Sequence, residues 1–221
     1  MQRILEPELM ERHDQAEAYA RAYFEAPHSR LVELFRERFP DAPEFARVLD
    51  LGCGPGDVAL RFADAYPGWT IDGVDGSPAM IAASSICRER FPKVGERVRL
   101  HLGRLPDWRP PYPPYRVILS NSLLHHLHDP LMLWGYIARW AQPGTVVFIA
   151  DLRRPDSGEE ARRLTDLYTQ GEPAVLKEDF FHSLCAAFTP NEIREHLRAA
   201  GLARLHVETP SDRHVLVWGI R

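Results

Sequence analysis

Cysteine is scarce in this chain. Three among 221 residues, Cys53, Cys87 and Cys185, lie far apart with no C-x-x-C pair. That excludes a disulfide framework and a cysteine zinc centre, and suits reduced thiols in a reducing compartment. Long apolar runs are missing too: none approaches the roughly 20 residues that span a bilayer. The opening MQRILEPELMERHDQ lacks the apolar stretch of a signal peptide, so no membrane association and a cytoplasmic location are expected. Basic residues are in deficit, 27 Lys and Arg against 31 Asp and Glu, for a formal net charge of −4. A nucleic-acid-binding face needs the opposite balance, so no nucleic-acid partner is expected. Repeats and low-complexity tracts are absent. With 45% hydrophobic residues, the chain has the composition of an ordinary globular protein with a sizeable core.

Apolar spacing organises what is there. Residues 16–24 and 29–39 carry helical periodicity, with Leu31, Leu34, Phe35 and Phe39 on one face and Pro27 and Pro40 as punctuation. Short apolar runs then alternate with amphipathic stretches. Strands are expected at 47–51, 70–75, 97–102, 115–120 and 145–151, with helices at 57–66, 77–90 and 130–141. Thr189 opens a helix through Ala200, closed by Gly201. An antiparallel pair at 202–209 and 214–220 ends the chain. The tract 106–114 (PDWRPPYPP) reads as a stiff loop. This order predicts an α/β fold: a mainly parallel, seven-stranded sheet with helices on both faces and an antiparallel C-terminal strand. Ligands of such sheets bind beyond the carboxyl ends of the strands.

The strongest motif stands at such an end. In VLDLGCGPGD, Val48 to Asp57, a buried strand runs into Gly52, Gly54 and Gly56 and on into a helix. Glycine permits a tight turn and close backbone approach, and a helix start offers unpaired N–H groups. Asp57 occupies the expected N-cap position. The spacing is G-x-G-x-G rather than the G-x-G-x-x-G of dinucleotide folds, which counts against a nicotinamide oxidoreductase. Asp50, just before the loop, would repel a pyrophosphate but pair with an ammonium. Asp75 ends the next strand, where a ribose-binding acid belongs. A ligand with a ribose, a cation and no phosphate fits both acids.

From these residues the sequence resembles the class I S-adenosylmethionine (SAM)-dependent methyltransferases, in particular their small-molecule branch. VDGSPAMI, YRVILSNSLLHHLHDP, QPGTVVFIAD and FTPNEIREHLRAAGL follow that family's motifs in order, from Arg47 to about Leu205. The resemblance implies a Rossmann-like fold, SAM as cofactor and methyl transfer to a small-molecule acceptor. Gly52, Cys53, Gly54 and the neighbouring backbone would hold the methionine end, with Asp50 acting there directly or through water. Asp75 would bind the ribose hydroxyls. Gly76, Ser77 and Met80 would line the adenine, although Met80 also suits plain core and Ser77 a helix N-cap before Pro78. Asn121 and Ser122 would complete the cofactor site. One departure stands out: where the family often has an Asp after the third strand, this chain has Arg104, which cannot accept a hydrogen bond. The Leu105 backbone, or stacking on the guanidinium, is left to read the adenine.

On the acceptor side, His126 is the candidate base or substrate contact, or a histidine packed beneath its loop. HHLH, with His125, His126 and His128, is a poor metal cluster because adjacent imidazoles diverge, and no metal is expected. Asn121-Ser122-Leu123-Leu124 lacks the N-P-P-aromatic segment of base-amine methylating enzymes. Residues 1–45 are expected to form a helical lid over a SAM-binding domain at 46–221. Within the lid Tyr19, Tyr23, Phe24 and His28 cluster, and Tyr19 and Tyr23 are the candidate catalytic tyrosines. Phe180, Phe181, His182 and Phe188 are expected to shape the acceptor pocket, and the EEARR run at 159–163 reads as a solvated helix face. A monomer or homodimer is expected. The alternatives are a SAM-binding protein without catalysis, or a methyltransferase acting on protein or RNA.

Overall fold

Val48, Leu49 and Leu51 expose none of their surface, and the strand they form lies inside the sheet, paired on both edges. A computed structural model describes residues 1–22 and 25–221; Tyr23 and Phe24 lie outside the described residues. The strands are β1 (Ala46–Leu51), β2 (Trp69–Asp75), β3 (Val98–Leu102), β4 (Val117–Asn121), β5 (Val146–Leu152), β6 (His206–Glu208) and β7 (His214–Ile220). They form one seven-stranded sheet in the order β3-β2-β1-β4-β5-β7-β6. β1 to β5 pair in parallel, while β7 runs antiparallel to both β5 and β6. The chain winds outward from β1 to β3 and then crosses back to β4 on the other side of β1. The crevice beyond β1 and β4 is therefore the topological switch point, where open α/β sheets bind ligands.

Alternation along each strand sends side chains to opposite faces. Val48, Val117, Leu119 and Phe148 face one apolar cluster. Leu49, Leu51, Ile118, Val147 and Ile149 face the other. The first face is covered by α2 (Glu25–Arg38) and α3 (Asp57–Ala65), the second by α6 (Leu131–Trp140) and α9 (Pro190–Ala199). Phe35 of α2 is fully buried and meets Phe39, Phe62, Tyr66, Trp69 and Phe148 at ring-centroid distances of 5.0–5.7 Å. Truncating such a residue costs about 3–5 kcal/mol, so α2 is an integral part of the core. The remaining helices are α1 (His13–Arg21), α4 (Pro78–Ala82), α5 (Ser84–Arg88), α7 (Gly158–Tyr168) and α8 (Ala174–Ala186).

Three local expectations are corrected. The helix expected at 77–90 is broken at Ala83 into α4 and α5, both of which pack on α1. The strand expected at 202–209 is only β6. Leu202 instead closes α9: with Gly201 at φ +72°, the Leu202 amide bonds the Leu197 carbonyl and the Gly201 amide bonds that of Arg198, a C-terminal cap. Asp57 is not an N-cap. Gly56, at φ +89°, takes that place, and Asp57 is the first residue of α3. Thr189 does cap α9, in a reciprocal box with Glu192. Ser77 caps α4, accepting from the Met80 amide at 3.2 Å with Pro78 in the first turn.

Candidate functional site

A cavity of about 650 Å³ opens beyond the ends of β1, β2, β4 and β5. That volume is in the range of small-molecule and cofactor sites. Asp50, Gly52, Cys53, Gly54, Asp75, Gly76, Ser77, Met80, Arg104, Leu105, Asn121, Ser122, Tyr19 and His126 all border it. The structure thus brings together every described residue singled out from sequence for cofactor or catalysis. Tyr23 lies outside the described residues.

The glycine loop builds one half of the cavity. Gly52 takes φ +69°, and a Cβ there would meet the Leu123 side chain at 2.8 Å, so both its conformation and its space demand glycine. Its amide, like that of Cys53, bonds the Val74 carbonyl of the next strand, which ties the loop to β2. A Cβ on Gly54 would meet nothing within 4 Å; this backbone faces open space. Asp75 holds the other side of the loop. Its carboxylate accepts from the Gly54 amide and the Ser77 amide, each at 2.8 Å. Burial nonetheless pushes its carboxyl above the usual range, against these two bonds. Arg104 packs its stem beside Gly76, whose Cβ would lie 3.3 Å from the arginine Cγ.

Asp50 is the anomaly. It is 1% exposed, and its Oδ2 is buried without any hydrogen-bond partner. Burial, and the neighbouring charge of Asp75, push its carboxyl up to about 7. A buried carboxylate without a partner is expensive. This one stands at the wall of the cavity.

The other half of the cavity is built by the turn after β4, the N-terminal segment and α8. His125 and His126 follow one another in the single-turn helix Leu124–His126. Asp151, at the end of β5, takes the Leu124 amide at 2.7 Å and His125 Nδ1 at 2.6 Å. Burial opposes a charge on His125, but Asp151 and Glu6 outweigh it and raise its pKa. For His126, burial and the adjacent His125 push the value down to about 3, so the ring is neutral. Tyr19 also stays neutral, because burial raises its phenol. Asp151 and Glu6 received no role from sequence. An acid at the end of a parallel strand is a usable signal for Asp151; nothing local marks Glu6.

The N-terminal segment crosses the cavity. Glu8, Leu9 and Met10 border it, as do Tyr19 and His28. The Arg3 guanidinium donates to the carbonyls of Ala186, His125 and Leu127 and lies 3.8 Å over the Phe188 ring. On the other side of the cavity, the Ser77 hydroxyl donates to the Met10 carbonyl. His28 bonds Asp57 at 2.6 Å, and Asp57 also takes Arg61 at 2.8 Å. Burial opposes ionisation of Asp57, yet the bonds from His28 and Arg61 outweigh it and pull its carboxyl down to about 2. Of the aromatic residues expected around an acceptor, Phe180 borders the cavity. Phe181 instead packs on the cluster around Leu164 and Leu184, and Phe188 serves the Arg3 clamp. The run Glu159–Arg163 is in α7, with Glu160 and Arg163 paired on its exposed side at 2.8 Å.

Comparison with known proteins agrees with this architecture. A methyltransferase-domain family model matches residues 19–207, and the chain belongs to that family. Among its relatives, the trans-aconitate 2-methyltransferase of Streptomyces coelicolor is 32% identical over 196 residues, covering 82% of this chain and 61% of that protein. The Variovorax paradoxus trans-aconitate 2-methyltransferase is 33% identical over 137 residues, covering 62% of this chain and 49% of that protein. The chain thus spans about half to three fifths of the length of these relatives. Among solved structures, the plantazolicin methyltransferase BpumL, in complex with a substrate analogue and S-adenosylhomocysteine, superposes with a TM-score of 0.65 at 15% identity, covering 95% of this chain and 96% of that one. Human N-acetylserotonin methyltransferase in complex with SAM gives 0.62 at 18% identity, covering 95% and 56%. At these identities the structures share the fold.

Proposed function

We propose that this chain binds SAM in the cavity beyond β1 and β2 and transfers its methyl group to a small-molecule acceptor. The observation that carries the reading is the orphaned Asp50 carboxylate beneath the glycine loop, with Asp75 across it. SAM supplies an electrophilic methyl group on a sulfonium. Asp50 offsets positive charge at the methionine end, and the open Gly54 backbone lets that end approach closely. Asp75, held by two backbone amides, presents its carboxylate to the ribose hydroxyls. Met80 and the Arg104 stem flank the adenine position.

For the acceptor, the chain's task is to orient the nucleophile in line with the methyl carbon and to keep water out. His126 is too weakly basic to be an efficient general base near neutrality, and serves as a neutral contact. Tyr19, on α1, is a neutral hydroxyl at the cavity wall. The strap of residues 1–12, pinned at Arg3 and Met10, and helix α1 act as the cover; α2, with Phe35 in the core, is the hinge-side anchor. A carboxylate acceptor needs no base, and the relatives' name makes trans-aconitate the first acceptor to test. Among the described residues no helix is long and apolar enough to cross a membrane. With the net charge of −4, this supports a cytoplasmic enzyme acting on a small molecule rather than on nucleic acid.

Titration calorimetry with S-adenosylhomocysteine tests the cofactor site. Asp75→Ala should weaken binding by about 1–3 kcal/mol, the scale of lost hydrogen bonds to a charged group. Unchanged affinity in that variant would remove Asp75 from the site.

A further inference from the structure

Glu6 reaches the two histidines of the turn after β4 from the far end of the sequence. Its Oε1 lies 3.1 Å from His126 Nδ1 and 3.5 Å from His125 Nε2. The three ligand-type atoms all fall within 4.8 Å of one another. We propose that Glu6, His125 and His126 form a binding site for a divalent transition-metal ion of the zinc class.

Three observations carry this. The first is size. Zinc bonds of about 2.0–2.1 Å to nitrogen and oxygen place tetrahedral ligands about 3.3–3.5 Å apart. The two glutamate–histidine separations, 3.1 and 3.5 Å, are close to such edges, and the histidine nitrogens lie within 4.8 Å of one another. The second is the state of His126. Its Nδ1 is buried and makes no hydrogen bond, despite standing 3.1 Å from the glutamate oxygen. A ring nitrogen beside a carboxylate oxygen is a donor pair that a cation can bridge. The third is orientation. His125 Nδ1 is held at 2.6 Å by Asp151, whose other oxygen is fixed by the Leu124 amide. A carboxylate behind a histidine sets its tautomer and aims the opposite nitrogen, as in carboxylate–histidine–metal arrangements. That opposite nitrogen, Nε2, faces Glu6.

The scaffold holds these parts together. Arg3 donates to the carbonyls of His125 and Leu127 at 2.9 Å each, which locks the N-terminal segment to the turn. The Ser183 hydroxyl steadies the Glu6 carboxylate at 3.2–3.3 Å. Two imidazoles and one carboxylate are a donor set that suits zinc and leaves a further coordination position. Because both histidines border the cavity, that position takes water or an anionic oxygen from it. The site carries charge for its ion as well, with one carboxylate in contact and a second behind His125. The competing occupant is a proton on His125, shared between Asp151 and Glu6.

The test is metal binding by the full, tag-free chain after removal of metals with a chelator. Zn²⁺ is titrated in competition with a chromophoric chelator, and Co²⁺ absorption reports the coordination geometry. One equivalent of Zn²⁺ should bind, and Co²⁺ should give the intense visible bands of a tetrahedral site. Asp151→Asn should weaken Zn²⁺ binding about 10–100-fold, and Glu6→Gln and His126→Ala should each weaken it further. Circular dichroism and melting curves establish that each variant is folded. Glu6→Gln, which keeps the shape of the side chain, decides the matter if the others do not fold. No saturable binding by the full chain overturns the site in favour of the proton. Stoichiometric binding that persists in Glu6→Gln places the ion elsewhere and overturns it equally.

Discussion

On the proposed site, cofactor affinity should rise with pH across neutrality, because burial pushes the Asp50 carboxyl up into that range. In the empty chain Asp50 has its pKa raised from 3.8 to about 7 by burial and by Asp75. A bound cation favours the ionised form, so binding draws Asp50 into its charged state and releases a proton. With a value near 7, about one tenth of empty sites are ionised at pH 6 and about nine tenths at pH 8. Affinity for S-adenosylhomocysteine should therefore climb about tenfold between these pH values, or about 1.4 kcal/mol. The sign for stability is opposite. A folded-state value above 3.8 means that the empty chain binds the proton more tightly than the unfolded chain does. Its contribution is fully present below pH 4 and is lost as pH rises towards 7. Asp50→Asn should then stabilise the empty chain at pH 8 by about 1–3 kcal/mol, because an uncharged amide replaces a buried charge, while weakening the cofactor. Calorimetry in two buffers of different ionisation enthalpy counts the released proton, and subtracting the Asp50→Asn profile removes the ligand's own titration. Flat affinity and no proton release in the wild-type chain would refute the reasoning.

Asp57→Ala should cost about 3 kcal/mol in urea denaturation, the lower end for breaking a buried pair, because Glu25 still holds Arg61 at 2.7 Å. The Asp57 contribution should persist above about pH 4 and fade as pH falls towards 2, since its carboxyl is pulled down to about 2; an acid-stability curve that is the same in the variant would refute it. Deleting residues 1–12 should leave cooperative melting, because the α2 aromatic core is untouched. It should speed release of S-adenosylhomocysteine on the order of tenfold, equivalent to about 1.4 kcal/mol of lost contacts; stopped-flow release at the wild-type rate would reject the strap as a cover.

What the sequence made legible is what lies close together in it. The glycine loop, Asp50 and Asp75 fall within one β-α-β unit, so spacing alone locates them and the structure gathers them on one cavity. Strand and helix order, and hence the parallel sheet, follow from runs that alternate in period. The losses have physical causes. No glycine or proline marks the break at Ala83; packing of both halves on α1 overrides local preference. Leu202 looks like a strand residue but is spent on closing α9, which shortened β6. Glu6 meets His125 and His126 through contacts between two distant segments, made by Arg3 and His128, that no local pattern encodes. For that reason HHLH by itself argued against a metal, while the folded chain adds a carboxylate that the motif lacks.

Transfer of the methyl group from isotopically labelled SAM tests the proposed activity itself. The full chain is incubated with labelled SAM and trans-aconitate, and in parallel with a small-molecule extract; low-molecular-weight products are separated and S-adenosylhomocysteine is quantified. Label is expected in a small-molecule product, matched one to one by S-adenosylhomocysteine, with loss of both in Asp75→Ala at limiting SAM. Tight SAM binding without S-adenosylhomocysteine formation from any small molecule, or label appearing only in protein or RNA when these are supplied, would contradict it.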